Sequence, residues 1–288
     1  MDSLLVPSPL EYLDDDRLLA AGVEVWLKRD DLIHPEVTGN KWRKLKYNLA
    51  AADAEGARTL LTFGGAYSNH IRATAAAGRC LGFSTIGVIR GEEHLPLNSS
   101  LTFAAERGMN LCYLNRADYR RKGEPEVIEE LRRRFGSFYL LPEGGSNELA
   151  VRGCTEIVDE LDEGFDLICC PCGTGATLAG VAGGLRSGQR AIGFSVLKGG
   201  AFLDRDVADL QHRALGRRTS NWRVETGFHF GGYARRNAEL DDFAADFSRR
   251  HQIVLDWVYT AKMMFGIFAL ARDGAFQPGT RVIALITG

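Results

Sequence analysis

The sequence predicts an α/β protein made of two open parallel sheets flanked by helices. Three observations predict it. Short apolar runs alternate with helical stretches along the whole chain, glycine turns stand at strand-to-helix junctions, and 288 residues with 45% hydrophobic and 25% charged content can bury a large core. Val23–Leu27 reads as a strand and Lys41–Ala54 as a helix. Thr59–Phe63 is the next strand, Asn69–Leu81 the next helix, and Thr85–Ile89 a third strand before a helix over Ser99–Arg107. Asn110–Leu114 and Phe138–Leu141 are further strands. A helix over Glu148–Leu161 precedes a strand at Asp166–Cys170, and a second Gly-rich turn opens a helix over Gly175–Leu185. The Ala191–Val196 strand, the Leu203–Ala214 and Tyr259–Arg272 helices and a last strand at Arg281–Ile286 continue the alternation. Two lobes with interleaved sequence suit this length better than one large sheet. Residues 1–40 with 141–288 are expected to form the larger lobe and 41–140 the smaller.

Net charge is -2, so no general electrostatic case exists for nucleic acid or an anionic membrane. Arg132–Arg134 follow Glu129 and Glu130 on an apparent helix and read as a solvated face. No apolar run reaches membrane-spanning length, and Met1–Leu5 lacks the basic and apolar regions of a signal peptide. Cys80, Cys112, Cys154, Cys169, Cys170 and Cys172 lack the spacing of a secreted disulfide framework, which points to reduced thiols and the cytoplasm. Cys169 and Cys172 form a C-x-x-C within a strand, where residues three apart point to opposite faces. They read as structural thiols, and no metal site is expected.

Four segments could carry chemistry. In Thr38-Gly39-Asn40-Lys41 a glycine turn meets a helix. Burial there lowers a lysine's pKa and lets it form an imine with a carbonyl cofactor. Lys44 and Lys46 are rivals on the same helix. In Phe63-Gly64-Gly65-Ala66-Tyr67-Ser68-Asn69-His70 a strand ends in two glycines and a helix begins. The turn exposes backbone N–H groups and the polar side chains of Ser68, Asn69 and His70, although plain N-capping accounts for Ser68 by itself. In Gly173-Thr174-Gly175-Ala176-Thr177 small residues let backbone N–H groups wrap a phosphate, with two hydroxyls as extra donors. No Gly-Lys-Ser/Thr follows, so this is not a P-loop, and close helix–sheet packing is the alternative. The fourth segment comprises Gly231-Gly232-Tyr233, Asp256 to Lys262, and the terminal Thr287-Gly288.

Together these segments resemble the fold-type II, tryptophan synthase β-like, pyridoxal phosphate (PLP) enzymes. Within them the pattern is similar to the group containing 1-aminocyclopropane-1-carboxylate deaminase and D-cysteine desulfhydrase. The resemblance rests on Lys28-Arg29-Asp30-Asp31, Gly39-Asn40-Lys41, Ser68-Asn69-His70, Pro142-Glu143-Gly144-Gly145, residues 173–177, Val258-Tyr259-Thr260 and Thr287-Gly288. It implies that Lys41 binds the cofactor covalently and that Asn69 hydrogen-bonds its phenolic oxygen. It implies that Gly173, Thr174, Gly175, Ala176 and Thr177 cradle its phosphate. Ser68, with Asn69 and His70, would meet the substrate, and Tyr233 and Tyr259 would be the active-site tyrosines. Thr260 and Thr287 are both candidates for the pyridine nitrogen.

Three positions depart from the family's pattern. Thr260 replaces the deaminases' glutamate, Tyr67 a usual glutamine, and Ala261 a common glycine. A threonine leaves the ring nitrogen closer to neutral, which leans towards D-cysteine desulfhydrase-like elimination of a small amino acid to pyruvate, ammonia and sulfide. Deamination of 1-aminocyclopropane-1-carboxylate, dehydration or racemisation of a D-amino acid, and non-catalytic PLP binding are the alternatives. The resemblance also implies a homodimer.

Overall fold

The computed structural model describes residues 4–37, 39–161 and 164–288, so Thr38 lies outside the described residues. The chain opens with β1 (Leu10–Tyr12), α1 (Asp16–Ala20), β2 (Glu24–Lys28) and α2 (Lys41–Ala54). Next come β3 (Thr59–Gly64), α3 (Asn69–Leu81), β4 (Ser84–Arg90), α4 (Ser99–Glu106), β5 (Asn110–Leu114), α5 (Arg116–Arg120), α6 (Pro125–Phe135) and β6 (Tyr139–Leu141). The rest comprises α7 (Glu148–Asp159), β7 (Leu167–Cys172), α8 (Ala176–Gly184), β8 (Arg190–Ser195), α9 (Leu203–Leu215), β9 (Trp222–Glu225), α10 (Ala238–His251), α11 (Thr260–Arg272) and β10 (Arg281–Leu285).

The strands form two sheets. One has the order β1-β2-β10-β7-β8-β9 and the other β5-β4-β3-β6. Every pairing is parallel except β1 with β2. The last strand in sequence is thus central in space: Val282 of β10 pairs with Val25 on one side and Leu167 on the other. All of β7 is buried, as expected for an interior parallel strand covered on both faces. Cys170 and Cys172 face α7, α8 and α9 through Cys154, Leu178, Val181 and Val207. Cys169 faces the other layer, with Met263, Ile267 and Phe247 of α10 and α11. Cys169 and Cys172 therefore point apart, and all six cysteines are free.

Around the smaller sheet, Leu60, Ala73, Ala76 and Leu141 pack with Leu45 and Leu49 of α2. Phe63, Ile86, Val88 and Leu131 fill the opposite face. The far side of α2 presses on α7, where a Cβ at Gly153 would lie 1.9 Å from the Arg43 carbonyl oxygen. Helix α2 therefore joins the two sheets.

The Lys28–Asp31 motif explains how α2 is anchored. Arg43 donates to Asp30 (Nε–Oδ2 2.7 Å, Nη2–Oδ1 2.8 Å) and to Glu160 (2.8 and 2.9 Å). Lys28 donates to Glu160 at 2.6 Å and to the Ser8 carbonyl at 2.6 Å, while the Ser8 hydroxyl donates to Asp30 at 2.7 Å. Lys28, Asp30 and Arg43 are buried. Buried charges persist only when paired and hydrogen-bonded, and here they are. Among the described residues, no helix is long and apolar enough to cross a membrane.

Candidate active site

The carboxyl ends of β3, β4, β7, β8 and β10, drawn from both sheets, open onto one cavity of about 410 Å³. Open parallel sheets place their ligands at such ends. Gly39, at φ +63°, brings α2 to this cavity. A Cβ there would meet the Thr287 carbonyl oxygen at 1.2 Å, so the backbone passes too close for any side chain. The Asn40 N–H donates to that oxygen at 3.2 Å, and Asn40 Nδ2 donates to Thr177 Oγ1 at 3.0 Å.

Lys41 therefore enters the cavity at a fixed height. Its Nζ donates to Asn40 Oδ1 at 3.2 Å and lies 5.8 Å from the centre of the Tyr259 ring. Burial, aided by the charge of Lys44, pushes the Lys41 amine down to about 7. Lys44 also lines the cavity, is lowered mainly by burial, and donates to the Gly144 carbonyl at 3.3 Å. Lys46 turns away and pairs with Glu156, which removes it from contention.

Ser68 caps α3, its hydroxyl accepting from the Ile71 N–H at 3.3 Å, and it also lines the cavity. The capping and site readings of Ser68 are thus compatible. His70 is buried, with Nε2 2.9 Å from Thr62 Oγ1 and Nδ1 without a partner. Burial, then Lys41 and Lys44, hold His70 well below its ordinary pKa, so it is neutral. Asn69 does not reach the cavity surface. Its amide donates to the Gly288 carbonyl at 2.9 Å instead. Tyr67 is exposed and packs edge-on against Trp257, 5.9 Å between centroids.

Between β7 and α8 the chain turns through Gly173, Thr174 and Gly175. Gly175 caps α8 at φ +83°, and no side chain bonds the helix's first N–H groups. Gly173, Thr174, Gly175 and Thr177 line the cavity, while Ala176 packs beneath in the core. An uncapped helix N-terminus with two hydroxyls and no acidic residue in its first turn is a fitting cradle for a phosphate monoester. Beside it stands a lysine with a depressed pKa, as an aldehyde on the same ligand requires.

On the facing wall Tyr233 and Tyr259 pack edge-on, ring centroids 6.2 Å apart. Burial raises both hydroxyls, Tyr233 to about 12 and Tyr259 well above its ordinary value. The Asp256 carboxylate accepts from the Val258 and Tyr259 N–H groups at 3.0 and 2.7 Å. Buried Lys262 holds the Tyr233 loop, donating to the His229 carbonyl at 2.9 Å and the Gly232 carbonyl at 2.8 Å. That loop is bent through positive φ at Phe230, Gly231, Gly232 and Ala234. Thr287 lines the cavity. Thr260 does not: its hydroxyl donates to the Asp256 carbonyl at 3.3 Å.

Sequence reasoning missed the mouth. Arg90 from the end of β4, Lys122 and Glu143 line it. Lys122 pairs with Glu143 at 3.1 Å, and the Tyr119 hydroxyl donates to the same carboxylate at 2.9 Å. The one available signal was the Pro142–Gly145 motif, quoted for the resemblance but given no role.

Comparison with known proteins agrees with this geometry. The model of the family described as "Pyridoxal-phosphate dependent enzyme" matches residues 3–288. A Pyrococcus horikoshii protein provisionally named 1-aminocyclopropane-1-carboxylate deaminase is 31% identical, covering 99% of this chain and 90% of its own length. The Arabidopsis thaliana protein named bifunctional D-cysteine desulfhydrase/1-aminocyclopropane-1-carboxylate deaminase, mitochondrial, is 28% identical over 94% of this chain and 73% of its own. A crystal structure described as an ACC deaminase homologue superposes with a TM-score of 0.87 at 29% identity, covering all of this chain and 91% of that one. An amine held near neutrality, a phosphate cradle at a helix N-terminus and a family match over nearly the whole length lead to one conclusion: this chain belongs to the pyridoxal-phosphate-dependent enzymes, with the fold-type II architecture, and its cofactor is pyridoxal phosphate.

Proposed function

We propose that this enzyme eliminates the β-substituent of a small amino acid, as a D-cysteine desulfhydrase does, releasing pyruvate, ammonia and sulfide. The observation that carries the reading is the placement of Thr260 and Thr287. The side chain from the carboxyl end of β10 that faces the cavity is a hydroxyl, and Thr260, where the deaminases carry glutamate, turns its hydroxyl onto the Asp256 carbonyl instead. A neutral partner leaves the ring nitrogen unprotonated and weakens the electron sink, which is sufficient for a good leaving group such as a thiol.

Bound PLP supplies that electron sink. In this reading Lys41 would hold it, and its Nζ would take the Cα proton. A pKa of about 7, set by burial, suits that task. The 173–177 loop and the N-terminus of α8 would hold the phosphate, and Thr287 would be the partner of the ring nitrogen. Asn69, bonded to the Gly288 carbonyl in this structure, would be the partner of the phenolic oxygen. Ser68 and the first N–H groups of α3 orient the substrate carboxylate, with neutral His70 behind them. The Tyr233–Tyr259 pair, kept protonated by burial, delivers or removes protons on the opposite face. The larger lobe comprises residues 1–40 and 141–288 and the smaller 41–140, and the enzyme acts as a cytoplasmic homodimer.

A second reading, opening of the 1-aminocyclopropane-1-carboxylate ring with Ser68 or a tyrosine attacking, is favoured by the names of the relatives and by the Ser68 hydroxyl on the cavity wall. The test is a visible spectrum of the purified protein, then titration with D-cysteine and with 1-aminocyclopropane-1-carboxylate while keto acid and sulfide are assayed. A cofactor band that responds to D-cysteine with sulfide release upholds elimination. Keto acid from the cyclopropane substrate alone overturns it. The Lys41→Ala variant is expected to lose both the band and turnover. If it keeps them, Lys44 holds the cofactor.

A further inference from the structure

The first cavity is not the whole of the space around these residues. A second cavity of about 860 Å³ adjoins it, sharing Gly65, Arg90, Lys122, Glu143 and Tyr233. None of the phosphate-cradle residues lines this annex, so the cofactor's phosphate does not account for it.

Its chemistry is one-sided. Five cationic side chains line it against two carboxylates, Glu92 and Glu143. Lys122 and Glu143 offset each other through their 3.1 Å ion pair. Arg90, Arg116, Arg120 and Arg235 have no carboxylate partner among the described residues. Arg90 stands at the throat between the two cavities, its guanidinium 5.7 Å from the centre of the Tyr233 ring and 6.0 Å from that of Tyr119. Held by two aromatic faces rather than by an anion, it presents its N–H groups unspent. In the annex the Tyr113 hydroxyl is buried and has no hydrogen-bond partner, a donor that a ligand could satisfy. Gly65 lines the throat, and a Cβ there would reach ordinary contact with Tyr233 at 3.5 Å and Arg90 at 3.6 Å, narrowing the passage.

We propose that the preferred substrate is a β-substituted amino acid whose leaving group passes Gly65 and Tyr233 and ends in a carboxylate bound by Arg90, with the annex arginines behind it. This rests on the elimination reading above and names its substrate class. The balance is simple. The Cα proton is removed and the Cβ–S bond breaks. The thiol departs with its tail, and one water converts the remainder to pyruvate and ammonium.

The test compares S-carboxymethylcysteine with S-carbamoylmethylcysteine, each as D and L forms, which differ only in tail charge. Pyruvate release gives kcat/KM, and calorimetry on the PLP-loaded protein gives affinity without turnover. The carboxymethyl compound is expected to be preferred by about ten- to a hundred-fold, the range of a charge-assisted pair. Arg90→Gln should erase that ratio and Arg90→Lys should restore part of it. Gly65→Ala, whose methyl meets only ordinary contacts, should penalise either long-tailed compound more than cysteine. Equal affinities in the parent overturn the proposal. So does an Arg90→Gln variant that weakens both compounds alike, because Arg90 then serves the α-carboxylate. A protein that eliminates neither compound, yet binds the carboxymethyl form more tightly through Arg90, upholds the annex and overturns the elimination reading.

Discussion

At the scale of single residues, the proposed chemistry turns on the Lys41 amine. Burial lowers it to about 7, so its reactive neutral form grows as pH rises through 7 and is nearly complete one to two units higher. The rate at which PLP-free protein acquires its visible band should follow that curve and level off near pH 8 to 9. A rate still climbing towards pH 10 would show a solvated lysine. Gly175 is a second sensitive position. At φ +83°, with a prospective Cβ 2.8 Å from Val207 Cγ2, it resists any side chain. Gly175→Ala should strain the cradle by about 1–3 kcal/mol and weaken PLP affinity by about ten-fold, read by cofactor titration. Lys41, Ser68 and the 173–177 turn were legible in the sequence because each is a local device: a glycine turn, a polar cap, a helix start. Arg90, Lys122 and Glu143 were not, because their proximity is made by three segments far apart in sequence and no local pattern marks it.

Among the elements, the loop carrying Tyr233 depends on a distant support. Its backbone holds non-glycine residues at positive φ, a conformation that persists only when its surroundings over-determine it, and Lys262 on α11 supplies two of the bonds that do so. Lys262→Met keeps the length and apolar stem but loses both bonds. Its kcat is expected to fall by about ten-fold or more while the cofactor band stays intact, and Lys262→Arg should recover part of it. An unchanged kcat would mean that Tyr233 is placed by its contact with Tyr259 alone. Most long elements were legible from apolar periodicity. The short β1, α1 and β9 were not, since they bury few residues, and α10 buries only Leu240 and Phe247. That β10 lies between β2 and β7 could not be read from sequence order, because strand order is a long-range property.

For the whole molecule, the two sheets depend on one buried ion network. Burial opposes the charge on Glu160, but hydrogen bonds from Arg43 and Lys28 outweigh it and hold the carboxyl at about 2, against an ordinary 4.5. A folded-state pKa below the unfolded one contributes stability above pH 4.5 and loses it as pH falls towards 2. Acid unfolding is therefore expected across that window, and Arg43→Met should flatten the Glu160 contribution. The same variant leaves Asp30 without its cation and should cost about 3–5 kcal/mol in denaturant unfolding. A loss under 1 kcal/mol would mean that water replaces the guanidinium. The Lys28–Asp31 motif was legible as a family mark, but its work as an anchor for α2 became visible only once Arg43 and Glu160, far apart in sequence, were seen beside it.

The distribution of thiols offers a practical handle. Five of the six cysteines are buried, and burial drives the Cys172 thiol on the cavity wall up to about 12, so alkylating reagents find little thiolate there. Cys80 alone is exposed, near the far end of α3, about 18 Å along the helix from Ser68. A maleimide dye should therefore label the native protein once, at that position. The probe would ride on the smaller sheet's helix, clear of the chemistry, and could report movement between the two sheets when cofactor or amino acid arrives.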